Sequence, residues 1–493
     1  MNLSLLILIP ALTLLGILLA KGNMARVVAL SGSFAQLGLA LFLLYAYITE
    51  RSTGNASAVL FENSCVWFAQ WNINYHIAVD GISIAMILLT SVVLISGVLV
   101  SWNIEKQPKE FFFLLVMLAM GAFGFFISLD LFTMFFFFEL SVIPKYLLIA
   151  NWGSGRKEYA SMKLSLMLMG GSSLVLVGIL VLYYFSVQAG VPTFDMTSIS
   201  KLNLSLSQQM FAFPFLFIGF GVLSAMFPFH TWAPDGHSSA PTAASMFLAG
   251  ISMKLGGYGC LRVATWLLPI AAREYSTYII ILACVGIFYG AFVTLKQRDI
   301  KLMNAYSSVS HCGFVLLGIG MLTKTAMVGA VLQMVSHGVM TALFFAVIGM
   351  IYQRTHTRMG DEMGGLQKVM PFLGSVFIIA GLTSLGLPGF SGFVAEMTVF
   401  VGSWQVPDLF HRAATIIATM SIVVTAVYIL RGAGITLWGP IKKEFSQLPD
   451  ATWNEKLASI ILVVSIVIMG TMPLWLSDMI AKTTEALFGS VVK

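Results

Sequence analysis

The chain has 493 residues, 58% of them hydrophobic and only 10% charged, whereas about a quarter of a soluble domain is charged. With a mean hydropathy of +0.91, no soluble fold could bury this much apolar surface, so the composition specifies a polytopic membrane protein. The net charge of +6 comes from Lys and Arg scattered over short loops without a basic patch, which leaves the bilayer, and not nucleic acid, as the surface this chain meets.

Runs of about 17 to 25 apolar residues cross a bilayer as helices, and fourteen are predicted. The first, MNLSLLILIPALTLLGILLA, has no basic leader and no A-x-A cleavage pattern, and reads as a retained helix. The others centre near residues 38, 92, 119, 140, 173, 218, 254, 285, 311, 339, 387, 422 and 466. Long connections fall at 50–78 and 188–207, and no long amphipathic extension is expected after the last span. Two spans read as broken. PFHTWAPDGHSSAPTAAS (228–245) holds three prolines and a glycine, and GLTSLGLPGFSGFVAE (381–396) holds Pro388 between glycines. Interruptions at corresponding places in two halves suggest an inverted-repeat transporter with ion sites at the breaks. Loops after odd-numbered spans carry sixteen Lys and Arg, while the opposite loops carry Arg51, Lys201, Arg273, Lys324 and Arg412. That bias places both termini outward. The four cysteines, Cys65, Cys260, Cys284 and Cys312, form no CxxC pair, so no disulfide framework, zinc site or iron–sulfur site is read from them.

A charge at the bilayer centre costs roughly 2.5–3.5 kcal/mol on insertion scales, so ionisable groups there face the protein interior and mark functional paths. Five stand out, each on a separate predicted span: Glu139 in FFFFELSVIP, Lys254 in MFLAGISMKLGGYGC, His311 after AYSSVS, His337 in AVLQMVSHGVMTALFF, and Glu396 after the second break. A lone intramembrane His is commonly a hydrogen-bonded core residue, and a Lys near a helix end commonly snorkels. A Glu in a phenylalanine run must be protonated, paired or watered. Acid, lysine, two histidines and acid together suit a lateral proton relay. Two other chemistries compete: bis-His haem ligation by His311 and His337, and a covalent site using Ser307, Ser308 or Ser310 beside His311.

Several stretches carry a family resemblance: FFFFELSVIPKYLLIANWG, FPFHTWAPDGHSSAPTAASMFLAGISMKLGGYGCLR, KQRDIKLMNAYSSVSHCGFVLLGIG and LPGFSGFVAEMTVFVGSW. The chain resembles the antiporter-like membrane subunits of respiratory complex I over about residues 80 to 440, with HTWAPDGHSSAPTA and AYSSVSH as signatures and THTRMGDEMGGL most like the M-type subunit. The resemblance implies an all-α membrane protein with two inverted five-helix repeats and discontinuous seventh and twelfth helices. The segments would be 1–103 (helices 1–3), 111–267 (helices 4–8), 276–434 (helices 9–13) and 455–493 (helix 14 and tail). It implies proton translocation coupled to NADH:quinone electron transfer, in a bacterial inner membrane, beside neighbouring antiporter-like subunits. No cofactor is expected on this chain, with flavin and iron–sulfur clusters in partner subunits. Glu139, Lys254, His311, His337 and Glu396 would form the relay.

The family's seventh-helix lysine, seven residues before the HTW histidine, is Leu223 here, and 209–229 holds no ionisable residue. Lys145 and Lys163 are the possible substitutes, with Lys254, one helix further along, a third candidate for the pairing through water. In a straight helix Lys145 lies about 9 Å along the axis from Glu139 and off its face, and its simplest reading is snorkelling to the inner surface. Alternative functions for the same resemblance are a multisubunit sodium/proton antiporter subunit, a membrane-bound hydrogenase module, or a membrane scaffold with an inactive relay.

Overall fold

The computed structural model describes residues 1–489, so the last four residues of the expected 455–493 segment lie outside the described residues. The chain enters through α1 (Leu5–Leu19) and α2 (Met24–Ser52). The 50–78 connection then forms an antiparallel hairpin, β1 (Leu60–Phe68) and β2 (Ile73–Val79). This hairpin is the departure from an all-helical reading. Asp80 ends β2 and caps α3 (Gly81–Val100) through the amides of Ile82 and Ser83. Pro108 opens α4 (Pro108–Ile127), a first-turn position where its missing N–H costs nothing.

Asp130 caps α5 (Leu131–Leu140), which gives way at Ser141 to α6 (Val142–Trp152). The break has a local cause. Pro144 has no N–H to offer the carbonyl of Leu140, and the Ser141 hydroxyl donates to Phe138 O at 2.7 Å. Then come α7 (Lys157–Gln188) and the short α8 (Met196–Ile199). A Ser205–Gln208 capping box starts α9 (Leu206–Leu223), and α10 (Trp232–Ser239) follows after an interruption. The eighth expected span is composite. It runs α11 (Thr242–Phe247), a π-helical segment (Leu248–Ser252), α12 (Met253–Gly259) and a second π-helical segment (Cys260–Thr265).

The second half holds α13 (Pro269–Lys296), α14 (Ile300–Gly320), α15 (Lys324–Thr355), and the pair α16 (Pro371–Ser384) and α17 (Ser391–Trp404), separated by the Leu-Pro-Gly break. α18 (Leu409–Leu437) and α19 (Trp453–Thr471) complete it. Beyond them the tail forms α20 (Leu474–Phe488), a 15-residue helix the sequence did not announce. Eleven described helices, with α5 and α6 counted together as Leu131–Trp152, are long and apolar enough to cross a membrane, and the chain is a multi-pass membrane protein. At three further expected positions the helices are shorter: α1, the α11–α12 stretch and the α16–α17 pair. α15 is the most buried of the long helices, with α3 and α14 next, and α14 and α15 carry the two histidines His311 and His337.

Candidate functional site

Lys254 sits in α12 between the two π-helical segments and is only 2% exposed. Its Nζ donates to Ala249 O at 2.5 Å, a carbonyl five residues back within the first π turn, and reaches His337 Nδ1 at 2.7 Å. A π turn shifts the hydrogen-bond ladder by one residue and is a frequent feature of functional sites. Glycines bring the two elements together. A Cβ on Gly338 would stand 2.8 Å from Gly250 O, and one on Gly250 would stand 3.1 Å from Gly338 O. α15 therefore lies backbone-to-backbone against the π segment, and His337 reaches Lys254.

The His337 ring stacks on His311, with centroids 5.1 Å apart and planes at 29°. His311 Nδ1 lies 3.4 Å from Glu396 Oε1 and 3.3 Å from the Gln333 amide nitrogen, and its Nε2 lies 3.1 Å from Ser384 Oγ. One ring nitrogen thus faces both an acceptor and a donor, so it is served with or without its proton. Glu396 is buried in α17 just past the break, where Gly386 (φ +71°) turns the chain. A Cβ there would meet Glu396 Oε2 at 2.7 Å. Lys254, His337, His311 and Glu396, which the sequence scatters over 143 positions, form one contiguous buried array.

The competing chemistries do not survive this geometry. Stacked imidazoles 5.1 Å apart cannot ligate a macrocycle from opposite faces. The hydroxyls of Ser307 and Ser308 donate to Asn304 O and that of Ser310 to Ile287 O, so none is activated by His311.

Glu139 stands apart from the array, one residue from the end of α5. It is half-buried, and its Oε1 has no hydrogen-bond partner among the described residues. The phenylalanine run around it faces two ways, with Phe137 and Phe138 buried and Phe136 exposed. Lys145 does not snorkel. It is completely buried, and its Nζ donates to Ser141 Oγ at 3.2 Å. Snorkelling would carry the ammonium along its stem to the surface, whereas here it bonds back to Ser141 at the break. Lys163 is committed elsewhere, to Asp235 of α10 at 2.6 Å. Leu223 is buried at the end of α9, against Gly256.

Three features escaped the sequence reading. His237 is fully buried in α10, with neither ring nitrogen partnered among the described residues. Lys301, counted above as a loop charge, is 8% exposed and donates to Ala240 O at 2.6 Å, at the end of α10. The second histidine of HTWAPDGHSSAP, inside a broken span, was the available signal for that region. Third, Asp80 and Arg262 form a buried ion pair at 2.5 Å. This pair ties the second π segment to the cap of α3, with the guanidinium 4.8 Å from the Trp266 ring centroid. Outside the spans, His76 of β2 bridges Asp195 (2.7 Å) and Glu62 (2.8 Å). Burial alone would lower the basicity of His76, but the carboxylate on each ring nitrogen outweighs it and holds the imidazole above its ordinary value.

Broken helices around buried, hydrogen-bonded Lys, His and Glu define an antiporter-like membrane subunit. The chain belongs to the NADH:quinone oxidoreductase/Mrp antiporter transmembrane family, whose model matches residues 128–425. It is 36% identical over 453 residues to "NAD(P)H-quinone oxidoreductase chain 4 2" of a Picosynechococcus strain, covering 91% of this chain and 85% of the relative. Its fold matches a chain of respiratory complex I from Thermus thermophilus with a TM-score of 0.90, full coverage of both chains and 23% identity. It also matches a chain of the Mrp complex from a Dietzia species with a TM-score of 0.86, 17% identity, and coverage of 99% of this chain and 98% of that one. The resemblance read from HTWAPDGHSSAPTA and AYSSVSH is thus borne out at the level of the family.

Proposed function

We propose that this chain translocates protons as an antiporter-like membrane subunit of an NADH:quinone oxidoreductase complex, with the flavin and iron–sulfur chemistry in partner subunits. The observation that carries the reading is the buried series Lys254–His337–His311–Glu396, with contacts of 2.7, 5.1 (ring centroids) and 3.4 Å. When the Lys254 ammonium donates to His337 Nδ1 across this 2.7 Å contact, the proton of a neutral His337 sits on Nε2. The stacked His337 and His311 faces cannot hydrogen-bond each other, so transfer between them runs through a ring rotation or a bridging water. From His311 Nδ1 the proton passes to Glu396. Glu139, at the other end, senses charge in the neighbouring part of the complex and biases Lys254 electrostatically.

In this reading the repeats are 111–267 and 276–434, flanked by 1–103 and 455–493. The membrane is the bacterial inner membrane, and both termini face outward, as the Lys and Arg bias of the loops suggests. A second reading, exchange of sodium for protons without a redox partner, is favoured by the breadth of the family, which includes Mrp antiporters. The test is proton translocation in inverted membrane vesicles containing the assembled complex. Glu139→Gln, Lys254→Ala and Glu396→Gln are each expected to suppress NADH-driven dye quenching. Normal quenching in all three refutes the relay, and quenching driven by a sodium gradient but not by NADH selects the exchanger.

A further inference from the structure

The geometry points to Lys145 of α6 as the charge partner of Glu139 of α5, the two standing on either side of the Ser141 break. This rests on the reading of Glu139 as a working carboxylate of the proton path.

The argument starts from two groups left incomplete in one short stretch, Glu-Leu-Ser-Val-Ile-Pro-Lys. Lys145 has three N–H donors and meets a single hydroxyl, Ser141 Oγ. An ammonium buried with one neutral acceptor is costly unless a counter-charge lies within electrostatic reach. Glu139 Oε1 is buried with no donor among the described residues. Glu139 is the carboxylate nearest to Lys145 along the chain, six residues before it and on the other side of the break. Lys163 cannot take this role, being paired with Asp235. Nor can the seventh span, since 209–229 has no ionisable residue.

The break is what makes the pairing adjustable. Ser141 Oγ donates to Phe138 O in α5 and accepts from Lys145 in α6, so one hydroxyl joins the two half-helices. α4 is pressed directly on this point. A Cβ on Gly121 would stand 2.9 Å from Phe137 O and 3.0 Å from Ser141 N. Glu139 and Lys145 would be about 9 Å apart along a straight axis. A unit charge at that distance, with an effective dielectric of about 20, is worth a factor of about twenty in proton occupancy. Small changes at the break therefore change how strongly Lys145 holds charge on Glu139. The break is also close to the end of α9, because Phe138 contacts Phe220 with ring centroids 6.1 Å apart, three residues before Leu223.

The test is NADH-driven proton translocation in inverted vesicles of the strain expressing the complete complex, with assembly followed on native gels. Lys145→Met is expected to lower translocation by about tenfold, Glu139→Gln to lower it as well, and the double variant to be no worse than Glu139→Gln alone. Wild-type translocation in Lys145→Met, or losses that multiply in the double variant, overturns the pairing. If Lys145→Met fails to assemble, Lys145→Met with Leu223→Lys, which returns a cation from α9, must restore assembly and translocation, and its failure also overturns the pairing. The two readings separate cleanly. Loss in Glu139→Gln with none in Lys145→Met removes only the pairing, whereas wild-type behaviour in Glu139→Gln removes the role of Glu139 itself.

Discussion

Lys254→Arg separates a proton carrier from a fixed charge. Nζ of Lys254 serves two acceptors, Ala249 O and His337 Nδ1, and a guanidinium, with five N–H donors, can serve both. If the site needs only a buried positive charge, the Arg variant should work. A carrier must also release its proton. The ordinary pKa of Arg lies about 2 to 3 units above that of Lys, and each unit is worth 1.36 kcal/mol, so release becomes harder by about 3–4 kcal/mol. At this site, 2% exposed, burial acts on both side chains in the same sense and leaves the difference standing. Translocation should therefore fall by about 100- to 1,000-fold, with Lys254→Ala at least as impaired and the complex still assembled. NADH-driven quenching in inverted vesicles, normalised to the assembled complex on native gels, measures it. An Arg variant within about threefold of wild type would refute the reasoning and leave Lys254 as a fixed charge.

Glu396→Asp should retain more translocation than Glu396→Gln, because His311 Nδ1 at 3.4 Å needs an ionisable acceptor; equal activity in the two variants would exclude a proton path through this carboxylate. Gly338→Ala places a methyl 2.7 Å from Leu89 and 2.8 Å from Gly250 O, and should cost about 1–3 kcal/mol by overpacking while parting His337 from Lys254, read as lower translocation and a lower melting temperature of the purified complex. Arg262→Leu strands Asp80 as an unpaired buried carboxylate and should cost about 3–5 kcal/mol, seen as loss of assembly or of protease resistance; Asp80→Asn in the same background should recover part of it. The raised pKa of His76 has a definite sign: its stabilisation is complete below the unfolded value of about 6.5 and is lost as pH rises through the higher folded value. Amide exchange at Leu129 and Met196, whose N–H groups bond His76 O and Leu129 O, should speed up over that range beyond the intrinsic rate, whereas His76→Phe should show no such transition.

Composition and apolar run length determined, without any structure, that this chain is a multi-pass membrane protein. The cost of burying charge picked out Glu139, Lys254, His311, His337 and Glu396, because an apolar helix has so few reasons to carry such groups. Proline and glycine spacing marked both interrupted helices. The composite stretch 242–265 was legible only as an apolar run. The first of its two π-helical turns is where Gly250 meets Gly338 of α15, and no periodicity in the sequence reports either turn. Pairing was likewise beyond the sequence. Which acid meets which histidine depends on contacts between helices remote in the chain, and only the tertiary structure set Glu396 on His311 and Lys163 on Asp235. The snorkelling expected of Lys145 failed because it assumed an unbroken helix. Pro144 removes one backbone bond at Leu140, α4 packs against Ser141 at the break, and Lys145 lies wholly buried with its ammonium on the Ser141 hydroxyl.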